Sequence, residues 1–410
     1  MNKIDTEYEL AKADWEEKGG ADVDKGELMD FAKGLEEKFK KNKEMLDDID
    51  KMFFDKKVNL AKQNDTLFNS WVELLKEINA VLPPENRIPE EVMSRQNVIV
   101  SSSSRRSNYL IIDLETGKWR FSEDEPEDIQ RNNVCRSTEM WLRRIPSGTF
   151  RMGSQANNEH GWMVNETPQH EVTLDEFYMG IFECTQKQWT LLMGRNPSFN
   201  LEDDHPVEQV TIEDIRGVAG YKSNVKDDSF MGRLRKMAFQ NNGNLFFDLP
   251  TEAQWEYACR ANTESDLNSG ENLTEYEGAD PALDKLGRYR FSKKAFVEHV
   301  KVGSYEPNDW GLYDMHGNVF EWCLDWSGDY DIQRNENPVG PDMPSQSPKY
   351  CILRGGGYKS KPAECRSAYR AKGRTGMSEN TKDEDAPARG FRIVCPRPQT
   401  IVNAKSKAEE

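Results

Sequence analysis

The stretch "GLYDMHGNVFEWCLDW", Gly311 to Trp326, carries more of this protein's identity than any other. Two glycines, an asparagine and two carboxylates crowd its first eleven positions, and an aromatic, strand-like run follows. Asp314 and Glu321 supply hard oxygen ligands at short spacing, and the backbone around Gly317 can add carbonyl oxygens. Calcium accepts such mixed carboxylate and carbonyl ligation. The same residues also suit a tight turn whose acids are simply solvated. His316 lies between the two acids, and a lone histidine is more often a packed residue than a ligand.

Working outward, four further segments share this texture of glycine turns, aromatic residues and short strands. They are "RRIPSGTFRMGS" (143–154), "FDLPTEAQWEYACRA" (247–261), "LRGGGY" (353–358) and "RGFRIV" (389–394). In the second, Thr251 is placed to cap a helix, with Glu252 and Gln254 in its first turn. Trp255, Ala258 and Cys259 then fall on one face, which predicts a core helix. Arg392 reads as a hydrogen-bonding fork between strands. The region from Trp119 onward holds eight of the ten tryptophans, and its short strands between turns predict an α+β domain with many loops.

The first hundred residues differ in kind. Leu28, Phe31, Leu35, Met45, Ile49 and Met52 recur mostly at helical spacing, and a second stripe from Leu67 to Leu82 ends at Pro83 and Pro84. A helical hairpin or small bundle is expected over 1–100. Residues 101–135 read as a linker containing a β-hairpin, "YLIIDLETGKWRF", with its turn at Glu115–Gly117. The main domain is expected over 136–397, and a polar tail over 398–410.

Composition narrows the class. The net charge is −17 and charged residues make up 31% of the chain, with a mean hydropathy of −0.85. No apolar run is long enough to span a bilayer, and a nucleic-acid surface is not expected without clustered Lys and Arg. Seven cysteines are scattered without a CxxC pair, and the amino terminus shows no export signal. Reduced thiols in a cytoplasm are therefore expected. The five histidines show no metal-ligand spacing, which disfavours structural zinc.

The five segments together resemble the formylglycine-generating enzyme, or sulfatase-modifying factor, family over roughly residues 136 to 397. The resemblance implies a C-type-lectin-like fold rich in loops. It also implies a calcium ion held by Asp314, Glu321 and the carbonyls of Gly317 and Val319. Active members of the family carry two cysteines after the RGG turn that bind Cu(I), which activates O2 to oxidise a substrate cysteine to formylglycine. In this sequence the second position is Cys365 and the first is Ser360. A serine hydroxyl is hard and stays protonated, so it does not replace a thiolate on soft Cu(I). A degenerate, non-catalytic site at Ser360 and Cys365 is expected, and copper is not.

The alternative is a live copper-dependent oxidase acting on a sulfatase-type cysteine, with Cys351 or Cys323 standing in for the missing thiol. A related class, the iron-dependent sulfoxide synthases, takes three histidines from a helical amino-terminal domain. Here the first histidine is His160, so that reading fails. Some relatives use the surface after the RGG turn to bind ligands. That resemblance nominates Tyr358, Lys359, Arg366, Tyr369 and Arg370 as a binding face for another protein, with Ser360, Lys361, Glu364, Lys372 and Arg374 beside them. Tyrosine and arginine are enriched at binding hot spots; the plain alternative is a solvated charged face. The expected function is a protein-binding accessory module of a bacterial signalling or defence complex.

Overall fold

In the computed structural model the hairpin of "YLIIDLETGKWRF" forms strands β1 (Tyr109–Asp113) and β2 (Trp119–Ser122), antiparallel with Ile112 opposite Trp119. Gly117 sits at the turn with φ +71°, a conformation that favours glycine. The structure describes residues 107–396 except 130, 156–163, 221–222, 242–244, 293–297, 346, 348 and 376–387. The expected helices of 1–100 and the tail 398–410 lie outside the described residues.

The hairpin is no linker. Leu110, Ile111 and Ile112 are fully buried because β1 also pairs with β3 (Glu139–Ile145). After the hairpin β4 (Gly148–Met152) and β5 (His170–Leu174), the chain enters β6 (Phe177–Gly180). Later come β7 (Phe320–Trp326), β8 (Tyr350–Arg354), β9 (Ala371–Arg374), β10 (Arg389–Gly390) and β11 (Val394–Pro396). Three sheets result: an antiparallel one in the order β11-β6-β3-β1-β2, one in the order β10-β7-β8-β9, and the β4-β5 pair. In the second sheet β10 runs parallel to β7 and the other neighbours are antiparallel.

Helices follow local signals. Thr185 caps α1 (Gln186–Met193), Thr211 caps α2 (Ile212–Arg216), Ser229 caps α3 (Phe230–Gln240) and Thr251 caps α4 (Glu252–Arg260). At Thr251 the hydroxyl accepts the Gln254 amide while the Gln254 side chain returns to the cap, a reciprocal pair that satisfies two orphan donors. Helix α4 lies at the centre of the core. Its Trp255, Ala258 and Cys259 pack with Ile145, Val172, Phe177, Cys323, Ile352 and Val394, which come from all three sheets. Strand β7 is buried along its whole length, its two acids Glu321 and Asp325 included. These two elements hold the loops that form the candidate site.

Candidate functional site

The glycine turn begins where β8 ends. Gly355 and Gly356 have φ of +89° and +76°, and each also makes room. A Cβ on Gly355 would lie 3.1 Å from the Trp255 ring, and one on Gly356 would lie 2.7 Å from Cys365 Sγ. The turn is tied to the 311–326 loop by the Tyr358 amide, which donates to the Asn318 carbonyl at 2.8 Å. A 3-10 turn, Pro362–Cys365, then carries the chain back under the glycines.

Ser360 and Cys365 occupy the two positions where copper thiolates are implied by resemblance. The Ser360 hydroxyl accepts the Gly357 amide at 3.1 Å, and its carbonyl accepts the Arg290 amide. Cys365 is fully buried among Leu267, Leu273, Leu283, Leu286 and Tyr289. Burial, with Glu364 nearby, pushes its thiol well above the ordinary range. Cys323, a proposed substitute thiol, belongs to a different core cluster around Trp255. Cys323 and Cys351 are both buried, and burial raises each thiol. The residues present do not fit copper: one hydroxyl closes a turn and one protonated thiol fills a core.

The nominated binding residues are not the exposed face expected of them. Tyr358 is 8%, Arg366 0% and Arg370 5% exposed. Arg366 forms a bidentate pair with Glu166, Nη1 to Oε2 at 2.9 Å and Nη2 to Oε1 at 2.7 Å. Arg370 does the same with Glu252, at 2.6 and 2.7 Å. The reason is charge: a guanidinium is buried only with a partner, and both partners come from distant segments. Lys359, Tyr369, Lys361 and Glu364 remain half-buried, and Lys372 and Arg374 are exposed.

The Arg370–Glu252 pair continues inward. Arg354 reaches Glu252 at 3.0 Å and Glu256 at 2.5 Å, and Arg260 closes on Glu256 at 2.9 Å. In the sequence Glu252 is legible only as a first-turn helix residue; the local signal for Glu252 and Glu256 is acids inside an otherwise core-forming helix, and Glu166 carries none. A second feature resembles catalytic machinery and is not. Cys259 Sγ lies 3.8 Å from His316 Nε2, but that nitrogen accepts the Asn268 amide while Nδ1 bonds the Cys365 carbonyl. Burial holds His316 down to about 4 and pushes the Cys259 thiol up to about 12. A neutral imidazole with its lone pair engaged is no base.

The carboxylates of the 311–326 loop meet Arg392. Glu321 takes both oxygens to its guanidinium at 2.7 Å and accepts Trp255 Nε1 at 2.8 Å. Arg392 also donates to the carbonyls of Gly180 and Tyr313, so it does fork between segments. Asp314 accepts the Gly303 amide through Oδ2 at 2.6 Å, while its buried Oδ1 has no partner. Glu183, also buried, accepts from Asn318 Nδ2 and the Val319 amide. Burial first, then mutual repulsion, raises Glu183 well above the carboxylate range. Burial likewise brings Asp314 to about 6. Of these buried acids Asp314, with its orphaned Oδ1, keeps an oxygen that suits a hard cation. Glu321 is instead already engaged by Arg392. Among the described residues no three His, Cys, Asp or Glu side chains are grouped to hold a metal, so the side chains alone do not make a full cation site.

Residues 125–396 match the family model described as sulfatase-modifying factor enzyme 1-like domain. The chain is 30% identical over 300 residues to serine/threonine-protein kinase pkn1 of Chlamydia caviae, across 71% of this chain and 44% of the kinase. It is 32% identical over 285 residues to formylglycine-generating enzyme of Streptomyces coelicolor, across 61% of this chain and 88% of that enzyme. With the Mus musculus formylglycine-generating enzyme it shares 27% identity over 283 residues, 61% of this chain and 73% of the enzyme. Among solved structures, Treponema denticola variable protein 1 superposes on 63% of this chain and 96% of its own at 23% identity, with a TM-score of 0.49. Because the model match takes in the core helix, the 311–326 loop, the glycine turn and the final strand, the chain belongs to the sulfatase-modifying factor family, that of formylglycine-generating enzyme.

Proposed function

We propose that the domain is a non-catalytic protein-binding module, an accessory part of a bacterial cytoplasmic complex in signalling or defence. One observation carries the reading: the Ser360 hydroxyl is bonded to the Gly357 amide where the family resemblance implies the first copper thiolate. Without that thiolate Cu(I) lacks its two-sulfur site, and the O2 chemistry has no metal. Similarity to a protein named as a serine/threonine kinase, of which this chain spans 44%, leans toward signalling. A partner would meet Lys359, Lys361, Glu364 and Tyr369, while Tyr358, Arg366 and Arg370 hold that face in place from beneath. Asp314, with the carbonyls of Gly317 and Val319 and the flank of Glu321, would hold a structural calcium that neutralises buried charge; the orphaned Asp314 Oδ1 supports this.

The test is chemical. The purified protein should bind Cu(I) no more tightly than its Cys365→Ser variant, and should leave a CxPxR peptide unoxidised. Copper-dependent aldehyde formation on that peptide would overturn the reading in favour of an oxidase.

A further inference from the structure

Away from the glycine turn, a cavity of about 40 Å³ opens where the start of α4, the end of β7 and the 329–341 segment meet. A water needs roughly 10–15 Å³ of such space, so the cavity takes one small head group. Its buried charged members are Glu252, Asp325 and Arg370, and its exposed charged members are Asp329, Asp331 and Arg334.

The charges there do not cancel. Arg370 is committed to Glu252, and Arg334 to Asp331 and Asp342. Asp325, 3% exposed, accepts the Glu252 amide through Oδ2 at 2.8 Å. Among the described groups its Oδ1 accepts no hydrogen bond and no basic side chain is paired with it. Asp329 likewise has no basic partner among them. Tyr330, which lines the same cavity, has a buried hydroxyl without a partner. Gly340, at φ +70°, keeps the space beside the carboxyl open, since a Cβ there would lie 3.0 Å from Asp325 Oδ1.

We propose that this cavity binds a primary ammonium group, with Asp325 as its counter-ion, the group arriving on a free alkylamine or on a partner's lysine side chain. Size and sign select that class. The cavity admits a head group and little more, and the exposed carboxylates at its edge attract cations and repel anions. The groups facing Asp325 are Glu252 from α4, Arg354 and Cys351 from β8, Arg370 from the segment before β9, and Cys323 on its own strand; His170 from β5, which packs on Tyr330, and Asp329, Asp331 and Arg334 line the same cavity. Burial, reinforced by Glu252, pushes the Asp325 carboxyl up to about 8. Near neutral pH the empty site therefore keeps its proton, and an ammonium ion that binds sends that proton to solvent.

The experiment is calorimetric titration of the full chain with n-butylammonium chloride, in two buffers of different ionisation enthalpy. Binding should release close to one proton below about pH 7, and affinity should rise roughly tenfold per pH unit up to about pH 8. Neutral n-butanol should give no saturable heat, and Asp325→Asn should remove both the binding and its pH dependence. Equal affinity for Nα-acetyl-lysine amide would mean that only the head group is read; tighter binding of the amide assigns the site to a partner's side chain. No saturable binding of either ammonium probe overturns the proposal. So does binding that releases no proton from the wild-type protein, a result that stands even if the variant fails to fold.

Discussion

Arg366→Ala separates a framework arginine from a recognition arginine. Both Arg366 and Glu166 are fully buried, and the guanidinium makes two bonds to the carboxylate and one, through Nε at 2.9 Å, to the Ala363 carbonyl. Truncation removes these three and leaves the Glu166 carboxylate with the Ser154 hydroxyl at 2.7 Å. Removing one partner of a buried ion pair costs about 3–5 kcal/mol, because the remaining charge stays desolvated. With a urea slope of roughly 2 kcal/mol/M, the midpoint should fall by about 1.5–2.5 M. The assay is urea unfolding of the full chain followed by tryptophan fluorescence, since Trp255 and Trp322 are buried in this domain. A second variant, Glu166→Met with Arg366→Met, should recover most of the loss, because apolar replacement of both partners is often neutral. If Arg366→Ala unfolds within about 0.5 kcal/mol of the wild-type protein, the range of an ordinary surface substitution, the pair is not framework and the argument fails.

Two other outcomes follow from the buried acids. Asp325 holds its proton to about 8 in the fold, against 3.8 for an ordinary aspartate, so between those limits the unfolded chain has lost a proton that the folded one keeps. Stability should therefore fall as pH rises through that window, by up to about 1.4 kcal/mol per unit. Asp325→Asn, neutral throughout, should lose less, and parallel urea-midpoint curves for the two proteins would refute this. For calcium, a chelator should lower the wild-type melting temperature by mass action and leave Asp314→Ala unchanged. A wild-type protein with no calcium by elemental analysis and no response to chelator leaves Asp314 a buried acid only.

What the sequence disclosed depended on range. The Thr251 cap and the Trp255, Ala258, Cys259 stripe are local signals, and both are realised in α4. The hairpin at 109–122 is equally local and was readable, but its place was not. Only pairing with β3 makes β1 a central strand, and pairing partners are not written in the strand itself. Arg366 and Arg370 looked like surface residues because they follow a polar loop. Their carboxylates lie 200 and 118 positions away in the chain, so nothing near them announced burial. Asp314 and Glu321 stand out in the sequence as two acids in one glycine-containing loop, and the structure buries both. Arg392 reads in the sequence as a strand fork, and nothing local marks it as the counter-charge of Glu321.

The cysteine retained at 365 is the feature most easily misread. A thiol kept at the second copper position suggests a site only half lost, yet packing alone accounts for it. Gly356 and Cys365 are fitted so closely that a single added Cβ on the glycine would lie 2.7 Å from the sulfur. A longer side chain at 365 would collide with the turn or with the leucines around it, and a smaller one would leave a cavity in a fully buried cluster. A small apolar sulfur is what this place in the core demands. Five residues earlier the demand is different. The Gly357 amide is buried and needs an acceptor, and Ser360 supplies one within the same turn. Each position is thus satisfied by its own neighbours, one by packing and one by a hydrogen bond. Neither leaves a donor atom waiting for a metal.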